Sequence, residues 1–202
     1  MKKSELIKMV SGELYLASDK ELQTLAANAK AMMDEFNDTK YNDFAKRKEI
    51  ISRLFGKVGQ NIIINKPLFV DYGFNIEVGD NFYANYGAII LDVTKVKIGN
   101  NVMLGPRVSI YTATHPVDPE VRSTLLEYGV PVTIGNNVWI GGDTVINPGV
   151  TIGDNVVIGS GSVVTKNIPA NVIAAGNPAK VIRALNDNDK TYWQQKVKEH
   201  SN

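Results

Sequence analysis

The sequence predicts a mainly β fold: a parallel β-helix with a helical segment at each end. Two observations lead there. Between Val132 and Val164, the residues Ile134, Ile140, Ile146, Ile152, Ile158 and Val164 recur on a six-residue beat, with Val132, Val138, Thr144, Val150, Val156 and Ser162 two positions before them. That spacing matches neither the 3.6-residue period of a helix nor the alternation of an isolated strand, whereas each hexapeptide of a β-helix makes one short strand and one corner. The second observation is the return of Ile-Gly-Asn-Asn at 134–137 as Ile-Gly-Asp-Asn at 152–155, 18 residues later, which assigns three hexapeptides to a coil.

The elements follow in order. Residues 1–57 read as a charged helical segment, opening with a short helix over Ser4–Val10 before Ser11-Gly12. Ser18-Asp19-Lys20-Glu21 has the capping-box spacing from Ser18 to Glu21. It starts a run with Leu22, Leu25, Ala26, Ala29, Met32, Met33 and Phe36 on one face, and Asn37-Asp38-Thr39 ends it. A further helix is expected from about Asn42 to Phe55, with Gly56 as its C-cap. Beyond Ile62 the texture turns β-branched and aromatic. Val78, Ala84 and Ile90 keep the beat; a two-residue slip near Val93-Thr94 precedes Ile98, Leu104 and Ile110.

Gly-Asp-Asn or Gly-Asn-Asn at 79–81, 99–101, 135–137 and 153–155 supplies residues that tolerate positive φ at tight corners. The repeats thus cover roughly 75–165, within a β-helix spanning 58–183. Residues 112–131 hold three prolines and no hexapeptide register, and read as a loop ejected from the stack, a placement that favours function. Ile168-Pro169 and Gly176-Asn177-Pro178 close the last coil. Residues 181–199 read as a terminal helix within a tail over 184–202. The two helical ends are expected to cover the exposed strand edges of the stack.

Composition narrows the function classes. With 22 basic and 21 acidic residues the charge balance favours neither nucleic acid nor an anionic membrane surface. No apolar run approaches a bilayer span, and the N-terminus has no signal-peptide pattern. Zero cysteines excludes a thiolate nucleophile, a disulfide framework and a Cys-zinc site, and is compatible with the cytoplasm. Only two histidines occur, His115 and His200, too few for a three-histidine metal site. His115 lies in the ejected loop; His200 is in the tail and reads as inert.

Several stretches carry a resemblance: Asp71-Tyr72-Gly73-Phe74-Asn75-Ile76, Asn81-Phe82-Tyr83-Ala84-Asn85, Thr112-Ala113-Thr114-His115-Pro116, Glu127-Tyr128-Gly129-Val130-Pro131 and Gly176-Asn177-Pro178-Ala179. Together with the helical N-terminus and the repeats, they make the chain resemble the maltose and galactoside O-acetyltransferases, a branch of the hexapeptide-repeat acyltransferases, from about Ser11 to Arg183. The resemblance implies a left-handed coil, a homotrimer with active sites between subunits, acetyl-CoA as co-substrate and no metal.

Carried over residue by residue, the resemblance makes His115 the general base, a role that histidine suits as a residue type because an unperturbed imidazole titrates near neutrality. Glu127 becomes the group that orients it, and Asn85 a residue at the reacting centre. Asp71, Tyr83, Asn85 and Asp92 form the expected acceptor pocket. For the cofactor, Trp139 is expected along the pantetheine arm, Gly142 at the oxyanion through its N–H, Ser160 and Thr165 on later coils, and Lys166, Lys180 and Arg183 at the phosphates.

Two departures stand out. Leu16-Ala17 replaces an acid expected just after Tyr15, and Asp92-Val93 stands where the galactoside branch has two acids. The implied activity is acetyl transfer to a sugar hydroxyl. An amine or antibiotic acceptor, or a non-catalytic β-helix scaffold, are the alternatives.

Overall fold

A computed structural model describes residues 3–201. Three parallel sheets form the faces of a triangular prism, and the chain visits them in rotation. One face holds Lys57–Val58, Ile76–Val78, Val96–Ile98, Val132–Ile134 and Thr151–Ile152. The next holds Ile63–Ile64, Tyr83–Ala84, Met103–Leu104, Trp139–Ile140, Val157–Ile158 and Val172–Gly176, with Ala179–Ala184 added antiparallel at its edge. The third holds Leu68–Val70, Ala88–Leu91, Ser109–Tyr111, Val145–Ile146 and Val163–Val164.

Alternation within each strand sends one side chain in and one out. The six-residue beat is the inward set: Ile134 stacks on Ile98 and Ile152, Ile140 on Leu104 and Ile158, and Ile146 on Ile110 and Val164. All of these are buried and form one continuous core. The outward columns differ between faces. Lys57, Glu77, Lys97, Thr133 and Thr151 make the first face polar. Ile63, Tyr83, Met103, Trp139, Val157 and Ile173 make the second apolar, while Phe69, Ile89, Val145 and Val163 line the third.

The three edges of the prism are built differently. Between the polar and Trp139 faces runs a ladder of Asn61, Asn81, Asn101, Asn137, Asn155 and Asn171, each amide donating to the next. All six have φ between 54° and 60°, the left-handed corner geometry that asparagine accepts. Between the Trp139 and Phe69 faces the corners pack backbone on backbone: a Cβ on Gly105 would stand 2.5 Å from the Gly142 nitrogen, and one on Gly141 2.5 Å from that of Ser160.

The third edge absorbs all variation in coil length among these rungs. Val70 to Val78 and Ile90 to Ile98 are eight residues each, Ile110 to Ile134 twenty-four, and Ile146 to Ile152 six.

The coil starts at Lys57, within one residue of the expected 58–183 span, and its first turn lies ahead of the repeats at 75–165, with Val58, Ile64 and Val70 already keeping the beat. The helices are α1 (Glu5–Val10), α2 (Lys20–Asp38), α3 (Phe44–Leu54), α4 (Pro119–Arg122) and α5 (Asp187–His200). Asp19, not Ser18, caps α2, accepting from the Glu21 and Leu22 amides; Phe55 rather than Gly56 is the C-cap of α3. Phe36, Ile50, Ile51 and Leu54 of α2 and α3 join the prism core and cover its first coil.

The C-terminal expectation is corrected. Residues 181–184 belong to a strand, and α5 buries none of its residues, so it covers no end of the core.

The 112–131 segment is ordered rather than a bare loop. Ala113–Thr114 and Leu126–Gly129 pair antiparallel, and Tyr15–Leu16 from the N-terminal segment adds a third strand beside Leu126–Gly129. After His115, Asp118 caps α4 by accepting from the Val121 amide, and Arg122 donates to the carbonyls of Pro116 and Val117.

Candidate active site

His115 directly follows Ala113–Thr114 and is exposed. Thr114 pairs with Tyr128, so the next antiparallel position sets His115 across from Glu127, and the pairing beyond sets Glu127 across from Tyr15. The Tyr15 hydroxyl donates to Oε2 of Glu127 at 3.1 Å.

Asp71 opens the corner at 71–75 on the same edge and is half-buried. Burial, then the Glu127 carboxylate, push its pKa up to about 6, with Lys30 acting in the opposite direction. Tyr72 is pushed up to about 12, by burial first and then by Asp71, Glu127 and Asp92.

Asp92 needs correction as an acceptor-binding residue. It is fully buried, and its carboxylate accepts from the amides of Asp71, Tyr72 and Asn75, while its carbonyl accepts from Nδ2 of Asn75. Burial raises its pKa to about 7, against the pull of the Tyr72, Gly73 and Asn75 amides. Asp92 shapes the corner that presents Asp71.

A pH effect follows. An unfolded Asp titrates near 3.9, below the folded value of about 6 for Asp71. Between these values the folded chain holds a proton the unfolded chain lacks, so this contribution to stability is largest below pH 4 and is lost as pH rises through about 6. Asp71→Asn removes that loss. The variant is expected to match the parent at pH 4 and exceed it at pH 8 by on the order of 2 kcal/mol in urea unfolding. An equal difference at both pH values refutes it.

The remaining site residues lie elsewhere. Tyr83 and Trp139 stand in the outward column of the second face, Trp139 51% exposed and Tyr83 accepting at its hydroxyl from Nδ2 of Asn65. Asn85, Gly142 and Ser160 sit at the glycine-lined edge beside it, where Asn85 Oδ1 accepts from the Tyr86 amide. Thr165 and Lys166 are exposed at the third edge, further along from His115. Lys180 lies exposed on the Ala179–Ala184 strand.

Arg183 is already committed: its guanidinium makes a bidentate pair with Asp189 at 2.6 and 2.7 Å, locking the strand to the start of α5. It is therefore not a free cation for a phosphate. Between α5 and the second face lies a cleft of about 1230 Å³ lined by Trp139, Val157, Ile173, Trp193 and Val197. Among the described residues no group of three or more His, Asp or Glu is arranged to hold a metal.

One chain thus divides the candidate site. His115, Glu127 and Asp71 occupy one edge, and Asn85, Gly142 and Ser160 another, with the Phe69 face between them, ~15 Å at ~3.3 Å per residue.

Residues 8–59 match the maltose acetyltransferase hexapeptide capping motif, and residues 131–166 match the bacterial transferase hexapeptide (six repeats). The galactoside O-acetyltransferase of Escherichia coli is 46% identical over 191 residues, covering 95% of this chain and 94% of that protein. The chain belongs to the maltose/galactoside O-acetyltransferase family. As a member it is an acyltransferase.

Solved structures of this family agree. A maltose O-acetyltransferase from Clostridium difficile superposes with a TM-score of 0.90 at 52% identity, over 91% of this chain and 98% of that one. A galactoside acetyltransferase in complex with coenzyme A gives 0.90 at 45%, over 94% of each.

Tyr15 and the third strand it supplies were missed by sequence reasoning. The short apolar run Leu14-Tyr15-Leu16 between two helices was the available signal.

Proposed function

We propose that the protein transfers the acetyl group of acetyl-CoA to a hydroxyl of a sugar-like acceptor, at sites shared between neighbouring copies of a homotrimer. The observation that carries this is the hairpin whose register, continued one position past Thr114–Tyr128, sets His115 opposite Glu127, beside a half-buried Asp71 whose carboxylate can accept from acceptor hydroxyls. His115 takes the proton of the acceptor hydroxyl as its oxygen attacks the thioester carbonyl. The tetrahedral intermediate collapses with cleavage of the C–S bond, and the imidazolium returns the proton to the departing thiolate. The Gly142 N–H faces the developing oxyanion, and Trp139 flanks the pantetheine arm. Lys166 and Lys180 remain as phosphate partners. The cytoplasm, where acetyl-CoA is available, is the compartment this reading requires.

The division of the site supports the trimer. Two apolar faces meet at the glycine-lined edge, with Ile63, Met103, Trp139 and Phe69 each about half exposed. A heterologous contact of one face with the other face of the next copy closes as a ring.

The test mixes inactive chains. His115→Ala and Asn85→Ala proteins, unfolded and reassembled together in equal amounts, are expected to regain about a quarter of parental CoA release, because random pairing leaves one shared site in four intact. A mixture as inactive as its two components overturns the shared site. Running the parent with glucosides, maltose, galactosides, amino sugars and antibiotic alcohols identifies the acceptor; CoA release with amines alone overturns the hydroxyl assignment.

A further inference from the structure

Tyr15 combines features that packing alone does not require. It lies on a two-residue strand in the N-terminal segment, yet it is fully buried. Burial by itself is served as well by phenylalanine, whereas a buried phenol needs a partner for its hydroxyl. That partner is the Glu127 carboxylate, 112 residues away in sequence.

The main chain fixes the approach. Tyr15 pairs with Glu127 and Leu16 with Leu126, and the arm ahead of the strand is tied to the coil. Thr94 Oγ1 donates to the Val10 carbonyl at 3.0 Å, and the Leu16 amide donates to Glu5 Oε2 at 2.7 Å. Gly12 crosses so close to the hairpin that a Cβ there would lie 2.9 Å from the Gly129 carbonyl oxygen.

Alternation in the three-stranded sheet separates two sets of side chains. Tyr15 and Glu127 are a cross-strand pair on one face, and the register continued one position past Thr114–Tyr128 brings His115 to that same face. Leu14 and Tyr128 belong to the other face and line a separate cleft of about 410 Å³ with Pro116, Val117 and Val121.

We propose that Tyr15 is a positioning residue for acyl transfer: its hydroxyl holds the Glu127 carboxylate beside His115, and so fixes the imidazole that Glu127 orients. The inference rests on the reading of His115 as base and Glu127 as its orienter. Burial and the Glu127 charge raise the Tyr15 pKa, so the phenol stays a proton donor. Under it, the N-terminal capping segment is a working part of the active site as well as a cover for the first coil.

The charged and titratable groups around Glu127 are Tyr15 of the N-terminal strand, Asp71 and Tyr72 of the 71–75 corner, and His115 across the hairpin, with Lys30 of α2 acting on Asp71. Removing the hydroxyl leaves the Glu127 carboxylate without the donor that fixes it. Tyr15→Phe is therefore expected to lower kcat about 10-fold and leave the KM for acetyl-CoA unchanged.

The deciding measurement is a double-mutant cycle. In a Glu127→Ala background, Tyr15→Phe is expected to cause no further loss, because the hydroxyl has no carboxylate left to hold. A parental kcat in Tyr15→Phe overturns the proposal. So does an equal loss in both backgrounds, which is the mark of a structural role. His115→Ala separates the two levels: if it retains turnover, the reading of the base fails, whereas an inactive His115→Ala beside a fully active Tyr15→Phe removes only the role of Tyr15.

Discussion

Replacing His115 by alanine is expected to lower kcat about 1000-fold, within the range for loss of a general base and equivalent to about 4 kcal/mol of transition-state stabilisation. The side chain is exposed and sits at the end of a hairpin strand, so its removal leaves the coil intact. Acetyl-CoA affinity is expected to stay within about twofold, because Trp139 lies on the second face and Gly142 and Ser160 on the edge beside it, away from the edge that carries His115. Steady-state CoA release together with calorimetric titration of acetyl-CoA separates the two effects. Turnover within tenfold of the parent would show that another group takes the proton.

The largest stability effect is expected at the inward beat. Ile140 is wholly buried and stacked between Leu104 and Ile158 of the adjacent coils. Truncation to alanine leaves a cavity that parallel strands on both sides cannot collapse into, at a cost of about 3–4 kcal/mol. That is a large share of the 5–15 kcal/mol typical of a whole domain. Thr151→Ala, on the outward side of the polar face, is the comparison and is expected to cost under about 0.5 kcal/mol. Denaturant titrations followed by far-ultraviolet circular dichroism measure both; equal costs would mean that the beat does not build the core.

The coil was legible because its signal is local: every inward aliphatic is set by neighbours six residues away, and every asparagine corner by its own backbone. The beat of its first turn, inside the expected 58–183 span, was not picked out because Val58, Ile64 and Val70 follow a charged helix and are interrupted by Lys66-Pro67. His115 stood out through rarity and through its place in a break of the rhythm.

What could not be read depends on partners distant in the chain. A buried Asp92 capping the 71–75 corner has the same spelling as an acid lining a pocket. Arg183 looks available for phosphate until the chain bends at Leu185-Asn186 and brings Asp189 to it. The hairpin passed for a loop because its third strand lies near the opposite end of the sequence.

The uneven third edge has a consequence of its own. The asparagine ladder and the backbone-packed glycine corners hold two edges to a fixed length per turn, so an added residue there would break a repeating contact above and below it. At the third edge the rungs accept excursions of eight or twenty-four residues and still return to the same register. Added chain at that edge leaves the core as it was. The fold therefore uncouples what keeps it standing from what it can acquire, and selection can lengthen, shorten or rewrite the segments on that side one at a time.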